Sequence, residues 1–175
     1  MLMQMLAAGG MSILTDELRK ADEDNPRGYF EYEAVKALVR DSSWVAEKAA
    51  GKVVKIVAPL LSAVPQDLPC RVILIERNLE EVLDSQEHML VRRGKPELAT
   101  PERRRLLRDE FERTMARVKA ALAQRPDTEL LMLNYADTVA DPAGAASKVN
   151  DFLGGGLDAA KMTSAVDPAL HRNRA

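Results

Sequence analysis

Residues 70–90 read CRVILIERNLEEVLDSQEHML. The first seven, ending at Glu76, form a short β-branched and aliphatic run with no in/out alternation over its middle, as expected of a strand covered on both faces. Asn78 and Glu81 then stand at capping-box spacing, which predicts a helix from that point to about Arg93. Between strand and helix sits a fixed positive charge, Arg77, and eight residues further on a hydroxyl, Ser85. At about 100° per residue, Leu79, Val82, Leu83, Met89 and Leu90 share one apolar arc, with Ser85 just outside it.

The same strand–helix grammar extends in both directions. Residues 52–58 (KVVKIVA) and 129–135 (ELLMLNY) read as two further strands. Residues Met1 to Ala8 predict a short helix stopped by Gly9-Gly10. Pro101 opens a long helix to about Gln124, with Leu107, Phe111, Met115, Val118 and Leu122 on its apolar face. Its opposite face, including Arg103-Arg104-Arg105, reads as solvated surface. Pro142 opens a helix through Phe152 and Leu153, closed by Gly154-Gly155-Gly156. A last short helix spans about Asp158 to Ala165. Strands separated by helices predict an α/β fold: a mainly parallel sheet with helices on both faces.

Composition narrows the class. The chain has 175 residues, enough for one domain with a sizeable core. Twenty-five Lys and Arg against 27 Asp and Glu give a net charge of −2, which argues against general binding of nucleic acid or membrane surfaces. No segment reaches the roughly 18 to 20 apolar residues that span a bilayer, and the apolar start has no basic region before it. A cytoplasmic location is expected. Cys70, the single cysteine, excludes an internal disulfide and a thiolate-cluster metal site, and reads as a small buried hydrophobe.

In parallel α/β sheets ligands bind at the carboxyl ends of the strands. Arg77 lies at that edge. A guanidinium fork and a nearby hydroxyl can converge on one anion. The competing reading pairs Arg77 with Glu80 or Glu81 and makes Ser85 incidental.

Arg77-Asn78 followed by Ser85 resembles the 3′-phosphate-binding motif of the sulfotransferase family, whose members transfer a sulfuryl group from 3′-phosphoadenosine 5′-phosphosulfate (PAPS) to a hydroxyl or amine. DNPRGYFEYEAVK (24–36), GKVVKIVAPLL (51–61) and MLNYADTVADPAGAASKVNDFLG (132–154) resemble further family segments in the family's order, so the likeness covers nearly the whole chain. It implies a P-loop-NTPase-like sulfotransferase fold in which Arg77 and Ser85 hold the 3′-phosphate of PAPS or adenosine 3′,5′-bisphosphate. It also places Lys55 near the reaction centre and makes Tyr135 and Asp137 structural, with the acid capping the next helix.

The resemblance has departures too. The family's phosphate loop, G-x-x-R-[ST]-G-[ST], occurs nowhere in the 175 residues. The implied fold is therefore N-terminally truncated: a single domain over 1–175 whose first, central strand and loop would precede Met1. The isolated chain is expected either to be destabilised or to close the resulting gap by homo-oligomerisation or strand exchange. Where well-studied members carry a histidine as general base, this chain has Val57, which cannot accept a proton. Glu31, near the acceptor side by the resemblance, is the alternative base, or else a first-turn helix acid. Lys55 is either a stabiliser of leaving-oxygen charge or a snorkelling surface lysine. The tail HRNRA, with Arg172 and Arg174, either folds over the nucleotide or is a free terminus. Trp44 and Tyr29 line an acceptor pocket or belong to the core. His88 reads as a surface residue.

The expected activity is sulfuryl transfer to a small-molecule or biopolymer acceptor, with no metal, and with these 175 residues inactive by themselves. The alternatives are a non-catalytic nucleotide- or partner-binding module and a kinase-like P-loop nucleotide enzyme.

Overall fold

The computed structural model describes residues 1–167 apart from Glu17, Glu23, Asp24 and Pro26. Two strands, β1 (Cys70–Glu76) and β2 (Thr128–Asn134), pair in parallel with Cys70 opposite Thr128 and Glu76 opposite Asn134. Parallel neighbours need a long crossover. Here two helices supply it: α3 (Leu79–Arg92) and α4 (Pro101–Ala123). Before them come α1 (Leu2–Ala8) and α2 (Ser43–Lys48), and after them α5 (Tyr135–Ala140), α6 (Pro142–Phe152) and α7 (Ala159–Ser164). The molecule is mixed α/β, and no helix among the described residues is long and apolar enough to cross a membrane.

Side-chain alternation along the strands divides the sheet into two faces. Ile73, Ile75, Leu131 and Leu133 pack with Met5 and Leu6 of α1, Ala145, Ala146 and Val149 of α6, and Met162 of α7. Gly9 is required beside this core, because a Cβ there would lie 2.7 Å from Cγ of Met162. The opposite face is covered less completely. Leu74 is buried, but Leu130 and Met132 remain 37% and 38% exposed. A second helical layer over the whole sheet was expected. Instead α4 packs against the 3-10 turn Ala58–Ala63. Val118 and Leu122 of α4 are buried, whereas Phe111 stays 38% exposed. An unbroken apolar run does not tell which face will lack a neighbour.

The expected strand at 52–58 is corrected. It makes one parallel bridge, Ile13 to Val53, with Val53 N–H donating to Ser12 and Leu14 N–H to Val53. The partner segment then turns away: Thr15 Oγ1 and the Asp16 N–H both donate to the carbonyl of Glu31. A β-branched run without a continuing ladder cannot extend as a strand, and Pro59 then favours the 3-10 turn. Val54 and Ile56 instead pack against a second core of Val35, Leu38, Trp44 and Val64. β1 and β2 pair directly along all seven residues of each strand.

Helix boundaries follow the caps. Asn78 Oδ1 accepts from the N–H of Glu80 at 2.8 Å, Thr100 Oγ1 from Arg103 at 3.2 Å, and Asp158 Oδ1 from Lys161 at 3.0 Å. Asp137 was expected to cap the helix after β2. Asn134 caps α5 and Asp141 caps α6, while Asp137 lies in the first turn of α5. Cys70 is half-buried rather than buried, with its sulfur 3.4 Å from Thr128 Oγ1.

Candidate functional site

The parallel register fixes what meets at the carboxyl edge. Glu76 lies opposite Asn134, so the next residues, Arg77 and Tyr135, leave the sheet side by side. The Arg77 guanidinium carbon stands 4.9 Å from the centre of the Tyr135 ring, within cation–π range. Arg77 Nε donates to Glu81 Oε2 at 2.7 Å, one turn into α3. Glu81 is buried to 5% exposure, and the Arg77 side chain is 28% exposed. A carboxylate so buried needs such a charged partner. Burial pushes the Tyr135 phenol above its ordinary pKa; the Arg77 cation pulls it down and the Glu81 charge pushes it up.

Ser85 lies half-buried on α3, one turn beyond Glu81. Positions 81 and 85 share a face of α3, while Arg77 precedes the Asn78 cap, outside the helix, and meets that face through its bond to Glu81. The pairing of Arg77 with Glu81, weighed from sequence as an alternative to anion binding, is present. His88 is exposed.

A second polar cluster gathers the residues expected on the acceptor side. Lys55 Nζ donates to the Tyr29 carbonyl at 3.0 Å and lies 3.4 Å from Glu31 Oε1. Arg19 Nη1 donates to the same carboxylate at 3.1 Å, and its guanidinium carbon stands 3.4 Å from the centre of the Tyr29 ring. Tyr29 Oη donates to Asp22 at 2.7 Å. Burial, then that bond, pushes the Tyr29 phenol above its ordinary pKa. Phe30, between Tyr29 and Glu31, has φ of +51°, the one positive value at a non-glycine residue among those described. Such a backbone costs about 1 kcal/mol or more and is held only where the surroundings fix it. Here the turn directs both the Tyr29 carbonyl and the Glu31 side chain to Lys55. Glu31 precedes the 3-10 turn Glu33–Ala37 and is not a first-turn helix acid.

Burial, then the charges of Lys55 and Arg27, lowers the pKa of the Met1 amine. Arg27 is tied by Ala165 O at 2.9 Å and Asp167 Oδ2 at 2.8 Å. Val57 is 56% exposed. Trp44 is core, edge-on to Tyr32 with ring centres 5.1 Å apart. Arg172 and Arg174, with His171, lie outside the described residues.

Sequence reading offered the pairing of Arg77 with Glu81 as an alternative but missed Arg19. Arg19 lies 12 residues before Glu31, and no periodicity connects them. With this geometry in hand, comparison with known proteins adds no identity: no protein-family model, curated protein or solved structure matches the chain.

Proposed function

We propose that this chain binds a 3′-phosphorylated adenine nucleotide at the carboxyl edge of β1 and serves sulfuryl transfer from PAPS in a P-loop-NTPase-like sulfotransferase fold. The observation that carries the reading is Arg77 at the strand end, with Ser85 two turns into the following helix. A guanidinium offers a planar fork to phosphate oxygens and the hydroxyl adds a donor. Within the reading, Arg77 and Ser85 hold the 3′-phosphate. The pair Lys55 and Glu31, 3.4 Å apart, supports an acceptor side at the second cluster. There the acceptor oxygen would attack sulfur, its proton would pass to Glu31, and the bond from sulfur to the bridging oxygen would break with its electron pair on that oxygen. Lys55 would stabilise the charge left there.

A non-catalytic nucleotide-binding module is the second reading. Val57 in place of a proton acceptor and the salt bridges from Lys55 and Arg19 to Glu31 favour it. Calorimetric titration with adenosine 3′,5′-bisphosphate and with ATP tests the nucleotide site. The bisphosphate is expected to bind more tightly, because ATP carries no 3′-phosphate for Arg77 and Ser85. Tighter binding of ATP would contradict both readings and favour a kinase-like nucleotide enzyme. Sulfuryl transfer from PAPS to a panel of hydroxyl and amine acceptors then separates enzyme from module.

A further inference from the structure

Glu81 is a negative charge set beside the arginine that is proposed to receive an anion. For an anion site this is counterproductive in charge alone, since the carboxylate repels the incoming phosphate. Its geometry offers a different role. Glu81 is 5% exposed and projects from the first turn of α3, which Asn78 caps, so its position is set by the helix and by packing. It takes the Arg77 Nε–H at 2.7 Å. The Tyr135 ring, fixed beside Arg77 by the strand register, meets the guanidinium at 4.9 Å. The hydrogen bond along the edge of the planar group and the aromatic ring beside it together restrict its rotation.

We infer that Glu81 is a positioning residue for the 3′-phosphate site: it fixes the orientation of the Arg77 fork through Nε, and so gives the site its preference for a ribose 3′-phosphate. This rests on the proposed nucleotide reading and adds a residue and a role to it. An arginine left to rotate loses orientation on each binding event, whereas one held by a buried acceptor is already aligned. The hydrogen bond does the orienting, so a neutral acceptor of the same shape keeps the effect. A glutamine carbonyl can accept the Nε–H; a leucine cannot.

The test is the ratio of affinities for adenosine 3′,5′-bisphosphate and adenosine 5′-monophosphate, measured by calorimetry on the 175-residue chain. Adenosine 5′-monophosphate lacks the 3′-phosphate and reports whether the rest of the site is intact. In Glu81→Gln the preference for the bisphosphate stays within about threefold of wild type; in Glu81→Leu it falls by roughly tenfold or more, with 5′-monophosphate affinity unchanged. Should Glu81→Leu fail to fold, a Glu81→Gln protein with the preference lost overturns the inference unaided. An undiminished preference in folded Glu81→Leu also overturns it and leaves the reading of Arg77 standing. A wild-type protein with no preference between the two nucleotides overturns both.

Discussion

At the scale of single residues, the environment of Arg77 is the most informative part of the molecule. The sequence shows a charge at a strand end and cannot show what that charge touches. Glu81 stands four residues along, and its pairing with Arg77 was one of two readings open. Tyr135 is 58 residues away and reaches Arg77 through the parallel register. That coupling is measurable. Tyr135 ionises above the ordinary tyrosine pKa because burial disfavours its anion, with Arg77 opposing the rise. In a chain carrying Tyr29→Phe and Tyr32→Phe, absorbance near 295 nm follows Tyr135 alone. Its midpoint is expected above about 10, and Arg77→Ala should move it higher. A lower midpoint in that variant would contradict the pairing. By linkage, a phenol raised on folding contributes stability that is complete below about pH 10 and is lost as pH rises through the folded-state pKa.

Among elements, the helices and the two paired strands were legible because each carries its signals locally. Asn78, Pro101 and Pro142 mark helix starts, and the structure begins α3, α4 and α6 there within a residue. Asn78→Ala removes the acceptor for the Glu80 N–H and should cost about 1 kcal/mol in urea-induced unfolding. An unchanged midpoint would mean that packing alone sets the start of α3. The segment 52–58 was misread for the opposite reason. Its β-branched residues suit a strand, but extension depends on a partner elsewhere in the chain, and Thr15 and Asp16 take the partner away to Glu31. Between α3 and α4, Arg104 reaches Glu80, Asp84 and Glu87, and these carboxylates hold its guanidinium more firmly charged than usual. The arginine run at 103–105, read as solvated surface, thus contributes one member to an inter-helix clamp. Sequence distance hid that as well, since the carboxylates lie 17 to 24 residues away on another helix.

For the whole molecule, the sequence supported a parallel α/β arrangement, and β1 and β2 have that arrangement. It did not reveal that one sheet face would leave Leu130 and Met132 more than a third exposed, because a continuous apolar strand looks the same with one covered face or two. The candidate site divides in the same way. The positions of Arg77 at a strand end and of Ser85 on the following helix were legible from local signals. Lys55 and Glu31 meet through a turn with Phe30 in a left-handed conformation, which no residue type announces. The central claim is the proposal that Arg77, at the end of β1, and Ser85, on α3, grip a ribose phosphate. Its most direct test is the calorimetric dissociation constant of adenosine 3′,5′-bisphosphate for wild type, Arg77→Ala and Ser85→Ala. The account predicts that Arg77→Ala weakens binding by about 2 to 4 kcal/mol and Ser85→Ala by about 1 kcal/mol. Binding of the bisphosphate by both variants with wild-type affinity would contradict it.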